Sequence, residues 1–438
     1  MAVSDGTHTV VLKDMGLVAQ VFDEASLASL HGHIAVGHCR YSTAGSSTWE
    51  NAQPTFRGLA NGQAMALAHN GNLTNTVELR RWLASMDSGH EVPTKNHMDS
   101  TSDTDLISAL LAVYAEGSLS AAAKRVLPEL RGAFCLIFST EKTLYAARDP
   151  QGFHPLVLGR LERGWVVASE TAALDIVGAT FIREIEPGEL ITIDEDGLRS
   201  HRFATADPRG CLFEYVYLAR PDTLISGRRI QRVRTEIGRT LALEAPVDAD
   251  LVIPTPESGT PAAIGYAHAS GIPYGQGLVK NAYVGRTFIQ PSQTIRQLGI
   301  RLKLNPIRDV IEGARLVVVD DSIVRGNTQR ALVSMLRQAG AAEVHVRIAS
   351  PRVEWPCFYG IDFATRAELI APGLTDAEIC RSIGADSLAF VSLEGLVACT
   401  GVPGRLLCRA CFDGKYPVEH GTSEPNRLVT TQSEDADA

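Results

Sequence analysis

The sequence predicts an α+β domain followed by an α/β domain built on a parallel sheet, and three observations carry that prediction. Residues 1 to about 200 hold many short apolar runs and only three helical patterns, which suits an α+β layered domain. Residues 314–340 read as strand, acidic loop and helix, with a further alternating strand after them. Residues 251–260 show a second strand, a tight Pro/Gly loop and a helix start. Ligands of open α/β sheets bind at the C-terminal strand edge, so these two loops mark the candidate site.

In chain order, strands are expected at 10–13, 34–37, 64–68, 134–138, 143–147, 165–169 and 190–193, and helices at 74–85, 103–116 and 118–127. From 187 to 209 the composition turns polar and loop-like, which places a domain boundary near residue 203. Cys211 opens the second domain. Pro254 and Pro256 stiffen the turn after the strand at 251, and Ser258 and Gly259 stand where a helix N-terminus can meet an anion. Residues 280–303 lack periodicity and are basic, through Lys280, Arg286, Arg296, Arg301 and Lys303. A mobile basic lid over a polyphosphate is the expected role, because closure excludes water and adds positive charge. Leu316 to Val319 form an unbroken apolar run, as in a strand buried on both faces. Asp320 and Asp321 follow, then Ser322, Gly326 and Thr328; Leu332, Met335, Leu336 and Ala339 recur at helical spacing up to a stop at Gly340. Beyond Gly421 the chain is polar and acidic and is expected to be a disordered tail, 421–438.

Bulk properties narrow the function. The 438 residues have room for two or three domains, and a net charge of -9 argues against a nucleic-acid partner. Apolar runs are too short and too broken to span a bilayer, and the opening residues show no positively charged apolar leader. A cytoplasmic protein with no membrane partner is expected. Its eight cysteines are then reduced, catalytic or metal-binding rather than disulfide-bonded.

The loop at 320–328 carries readable chemistry. Its backbone N–H groups and the helix start can hold a phosphate, Gly326 lets the backbone come close, and two carboxylates suit a Mg²⁺–diphosphate or ribose hydroxyls. The patterns of a Walker A loop and of a dinucleotide fingerprint are absent. Cys408-x-x-Cys411 is a two-ligand bite for zinc or an iron–sulfur cluster.

The run Val-Val-Asp-Asp-Ser-Ile-Val-Arg-Gly-Asn-Thr at 318–328 resembles the phosphoribosyl pyrophosphate (PRPP) signature of the type I phosphoribosyltransferases. In the first half, the clusters at 37–43, His69-Asn70-Gly71-Asn72 and Ser102-Asp103-Thr104-Asp105 resemble the glutaminase domain of the N-terminal-nucleophile amidotransferases. Together they resemble the amidophosphoribosyltransferase family of the iron–sulfur type, over nearly the whole chain. The resemblance implies a glutamine amidotransferase domain at 1–203 and a phosphoribosyltransferase domain at 204–420. It implies formation of 5-phosphoribosylamine from PRPP and glutamine or ammonia, the first step of de novo purine biosynthesis, with ammonia crossing inside the protein.

By the same resemblance Arg40 pairs with the glutamine α-carboxylate, Asp103 receives the α-amino group, and Asn70 with the Gly71 N–H forms the oxyanion hole. Ser258, Tyr283, Arg286, Lys303, Asp320, Asp321, Ser322, Arg325, Gly326, Asn327 and Thr328 are implied to bind PRPP. Mg²⁺ would be held through Ser258, Asp320 and Asp321, and a [4Fe–4S] cluster by Cys211, Cys357, Cys408 and Cys411. The chain departs from the family at Ala282, where an arginine is common. Cys39, Cys135, Cys380 and Cys399 read as structural. Purine nucleotides as inhibitors and a homo-oligomer are further expectations of the family.

The family also needs an N-terminal cysteine nucleophile and a Gln-His-Arg-Gly motif ahead of Ala-Val-Ser-Asp-Gly. This chain starts Met1-Ala2-Val3-Ser4-Asp5-Gly6. It is expected to be truncated at its N-terminus rather than to have evolved the loss, since Arg40, Asn70, Gly71 and Asp103 are kept. As written it is expected to use ammonia only. A base-salvage phosphoribosyltransferase or a non-catalytic PRPP-binding regulator are the alternatives; the first would lack the three clusters, and the second could shed the carboxylates.

Overall fold

Six antiparallel strands form the main sheet of the first half, in the spatial order Gly197–Arg202, Glu189–Asp194, Leu144–Arg148, Gly132–Ser139, Ala64–Leu73 and Thr55–Gly58. The structure is a computed structural model and describes residues 1–40, 48–86, 102–281, 303–361 and 365–420. Period-2 alternation gives the sheet two buried faces. Met65, Leu67, Phe134, Leu136 and Phe138 face the helices Thr76–Met86, Asp103–Tyr114 and Leu119–Val126. Cys135, Ala146 and Ile191 face the other way, against Leu156 and Leu158. Ser102 and Ser118 cap two of those helices, their hydroxyls accepting the N–H of Asp105 and Ala121. A separate sheet of Thr9–Val11, Ala2–Ser4 and Ile34–Val36 leads into His38 and Arg40.

The polar stretch expected as loop from 187 to 209 is instead largely a hairpin of the two strands Glu189–Asp194 and Gly197–Arg202. Its outer strand is a sheet edge whose last four residues are exposed, so composition hides it. Thr55–Gly58, Val157–Leu161 and Thr180–Glu184 are further strands that the apolar runs did not announce.

The second half is a three-layer α/β unit. Four parallel strands lie in the order Leu251–Pro254, Arg315–Asp320, Glu343–Ile348 and Ser387–Phe390. Leu316 to Val319 are fully buried in an inner strand, as expected from their unbroken apolar run. Val317 and Val319 pack on the helices Ile230–Glu244 and Thr260–Ser270. Leu316 and Val318 pack on Asn327–Gln338 and Asp376–Ile383. Gly210–Cys211 pairs in parallel with Leu407–Cys408, so the start of this half is hydrogen-bonded to its end. Among the described residues no helix is long and apolar enough to cross a membrane.

Candidate functional site

At the mouth of the parallel sheet the inner strand ends in two carboxylates. Asp320 and Asp321 are 5% and 8% exposed. Asp320 accepts the Asp321 N–H at 2.9 Å and a side-chain N–H of Gln329, and Asp321 accepts the Ser322 hydroxyl at 2.6 Å. Burial pushes the Asp320 carboxyl well above the usual carboxylate range, and the adjacent Asp321 charge adds to the effect. The buried guanidinium of Arg234 senses the Asp321 charge.

The second loop closes on the same edge. Thr255 donates its N–H to the Val319 carbonyl at 2.8 Å. A Cβ on Gly259 would stand 3.2 Å from Asp320 Cα and collide with the Val319 carbonyl oxygen. Half-buried Ser258 is thereby held beside the acidic pair. Gly326 has φ +73, left-handed, and a Cβ there would stand 2.5 Å from Ile370 Cδ1. It opens the helix Asn327–Gln338, while Thr328 is exposed on its first turn. Arg325 is exposed and paired with Glu368 at 2.9 Å. Lys303 lies beside Asn281, whose N–H donates to its carbonyl at 2.8 Å. Tyr283 and Arg286, with most of the basic segment, lie outside the described residues.

Among the described residues, buried Thr255 Oγ1 and Gln329 Oε1 have no hydrogen-bond partner. The two carboxylates and the Ser258 hydroxyl are oxygen donors, the chemistry that suits a hard cation such as Mg²⁺ whose remaining ligands come from a diphosphate. Gln329, Thr255 and Arg234 were not singled out in the sequence; only the packing of helix on strand brings them in.

In the first half the strand Ala64–Leu73 carries Asn70 and Gly71 at its far end. Asn70 is exposed. Gly71 has φ +144, and a Cβ there would collide with the Ala133 carbonyl of the neighbouring strand. Asp103, the first residue of its helix, accepts the Leu73 N–H at 3.0 Å and lies 3.5 Å from His69 Nδ1. Burial alone would raise the Asp103 pKa; the His69 ring and the N–H groups of Leu73 and Thr104 outweigh it and hold the carboxyl below its ordinary value. His69 in turn sits in a buried network: its backbone N–H donates to Gln53 Oε1 at 2.7 Å, and Gln53 Nε2 donates to Thr104 Oγ1 at 3.1 Å. Arg40 is half-buried, and its guanidinium senses the Asp103 charge. Burial, with His69 and Arg40 nearby, lowers His38 to about 4. Arg40, Asp103, Asn70 and Gly71 are therefore assembled at one end of the sheet. Cys39 is exposed, which corrects its reading as a packing residue.

Cys211, Cys357, Cys408 and Cys411 line one small cavity with Phe153, His154 and Tyr359. All four thiols are pushed up by burial, Cys408 to about 12, and Cys211, Cys408 and Cys411 are raised further by others of the set. Among the described residues no three His, Cys, Asp or Glu groups are close enough to hold a single metal ion. His154 is buried in the cavity wall between Glu214 and the Tyr359 carbonyl; burial would lower its pKa, but those two acceptors outweigh it and raise it.

The glutamine amidotransferase domain family matches residues 38–175. The chain is 63% identical over 425 residues to the amidophosphoribosyltransferase of Mycobacterium tuberculosis, spanning 96% of this chain and 80% of that relative. The solved structure of glutamine PRPP amidotransferase from B. subtilis complexed with ADP and GMP superposes with a TM-score of 0.87 at 44% identity, covering 96% of this chain and 91% of the other. The structure of the allosteric regulatory enzyme of purine biosynthesis superposes with a TM-score of 0.88 at 45% identity, covering 96% and 90%.

Proposed function

Because this chain belongs to the amidophosphoribosyltransferase family, we propose that its two assembled sites are the two halves of one reaction, with nitrogen taken from glutamine or ammonia and placed on C1 of PRPP. The protein is a glycosyltransferase enzyme of purine biosynthesis, and the product is 5-phosphoribosylamine. The observation that carries the proposal is the buried Asp320–Asp321 pair, with Ser258 and a phosphate-ready helix start on the same sheet edge.

In this reading Arg40 and Asp103 grip the two charged ends of glutamine, and the Asn70 side chain and Gly71 N–H face the oxyanion. At the other site Ser258, Asp320 and Asp321 would hold Mg²⁺, which neutralises charge on the departing diphosphate. The N–H groups at Gly326, Asn327 and Thr328 hold a phosphate, with Ser322 and Arg325 beside them, and Lys303, Tyr283 and Arg286 are assigned further PRPP contacts by the family resemblance. The C1–O bond to pyrophosphate breaks as the ammonia nitrogen bonds to C1, and the nitrogen then releases a proton. Ammonia is already nucleophilic, so the side chains mainly position and neutralise charge.

The four clustered cysteines are proposed to hold a [4Fe–4S] cluster. What supports this is that four sulfurs from three separate stretches of chain line one apolar cavity. All eight cysteines are free thiols, as in a reducing cytoplasm. The ADP and GMP of the B. subtilis structure support purine nucleotides as inhibitors. Exposed Phe181 and Ile182 on an edge strand, with Ile176 and Val177 on the helix beside it, support a homo-oligomer.

The test is pyrophosphate release from PRPP and Mg²⁺ with ammonia, with glutamine and with free nucleobases. Release with ammonia and none with bases is expected. Release with bases alone would move the chain to salvage chemistry, and binding without release would make it a regulator.

A further inference from the structure

The wall of the glutamine pocket is not completed by the first domain. Asn72, two residues beyond Asn70, donates its side-chain N–H to the Phe358 carbonyl at 2.9 Å. Gly360 lies so close to Gly71 that a Cβ on it would stand 3.1 Å from Gly71 Cα and C. Gly71 is thus caught between the Ala133 carbonyl of its own sheet and the backbone of a turn from the second domain.

A second side chain of the first domain holds the same turn. His154 Nε2 meets the Tyr359 carbonyl at 2.9 Å, and His154 Nδ1 meets Glu214 Oε1 at 2.9 Å. Both partners are acceptors, so the ring spans them as a two-ended donor. His154 and Glu214 are each 6% exposed, so water does not substitute readily for either bond. The loop that presents His154 is itself fixed. Arg148 Nε donates to the His154 carbonyl at 2.8 Å, and Asp149 accepts the N–H groups of Phe134, Gln151 and Phe153. Phe153 stacks on Tyr359 with ring centroids 4.2 Å apart.

We infer that the Phe358–Gly360 turn sets the position of the Asn70 and Gly71 donors, and that His154 is the positioning residue that holds this turn. His154 touches no substrate; it acts through Tyr359 and Gly360. The inference rests on the reading of the first domain as a glutamine site. Small displacements of an aligned donor are costly, so the expected effect falls on glutamine and not on PRPP.

The experiment titrates the full chain with L-glutamine and, separately, with PRPP and Mg²⁺, following heat. His154→Phe keeps the ring volume and removes both bonds. It should weaken glutamine about tenfold, the worth of one donor to glutamine drawn out of line at Gly71, and leave PRPP within about twofold. His154→Arg can still donate to Glu214 and to the Tyr359 carbonyl and should restore glutamine affinity to within about threefold. Should His154→Phe not fold, Asn72→Ala, which frees the turn from the other side, decides with the same expectation. Unchanged glutamine affinity in the folded variant overturns the inference, as does equal loss of glutamine and PRPP, which would mark a general structural role. If the unaltered chain takes up PRPP but no glutamine, the glutamine-site reading falls, and this inference with it.

Discussion

Asp103 accepts the backbone N–H of Leu73 at 3.0 Å, so the carboxylate proposed to receive the α-amino group of glutamine is tied to the strand that carries Asn70 and Gly71. Asp103→Asn keeps an acceptor for that N–H and removes the charge. Glutamine affinity should fall about 10- to 100-fold, the range of a lost charge-assisted hydrogen bond, while ammonia-dependent synthesis persists. The folded-state pKa of Asp103 lies below its unfolded value. Its charge therefore contributes stability above the unfolded pKa of about 3.9, and that contribution is lost as pH falls through the folded pKa. Urea unfolding at neutral and acid pH should show the gap between wild type and variant closing below about pH 4; a constant gap would refute this.

Asp320 behaves in the opposite sense. Its folded-state pKa is raised by burial and by Asp321, so ionisation costs stability as pH rises from the unfolded value toward the folded one. Asp320→Asn should leave the ligand-free protein as stable or more stable at neutral pH. Gln329 can turn its unpartnered Oε1 toward the new amide. Synthesis with ammonia should drop at least about 100-fold, since one displaced charge-stabilising group commonly costs that much. A ligand-free variant less stable than wild type would show that the carboxylate is a structural acceptor.

Gly326→Ala puts a side chain at φ +73 and drives it onto Ile370. The left-handed backbone costs about 1–2 kcal/mol, read as a melting shift of about 2–4 °C per kcal/mol for a unit of this size. Weaker PRPP binding should accompany it, because the loop N–H groups move with the helix start. Wild-type affinity for PRPP in calorimetry would argue that this loop is not the phosphate cradle.

The four cysteines make a compositional prediction. Thiols whose pKa values are raised by burial ionise only when a metal takes the proton's place. Anaerobically purified protein should carry about four irons per chain with visible charge-transfer absorption, and Cys211→Ser should lose both. One zinc per chain and a colourless protein would overturn the cluster.

Some of this was legible in residue order because the chemistry is local. Asp320-Asp321, Gly326 and the helix that follows lie on one continuous stretch, where an apolar run, a turn residue and a helical repeat each impose their own geometry. Cys408-x-x-Cys411 belongs to the same class. The edge strand Gly197–Arg202 was not legible, because a strand with a solvated face need not be apolar. Nor were Gln53 and Thr104, whose bond beneath His69 joins positions 51 residues apart.

By itself, then, the order of residues determined the two kinds of domain, the acidic sheet edge, the clusters around Arg40, Asn70 and Asp103, and the Cys408-x-x-Cys411 pair. Tertiary structure alone decided what holds them in register: Gln329 on Asp320, Gly259 under the Val319 carbonyl, and Asn72 and His154 on a turn more than two hundred positions later. Short-range sterics and hydrophobic periodicity act between neighbours in sequence, whereas these partners meet only after two separately cored domains have packed, and no local propensity encodes where a distant backbone carbonyl will lie.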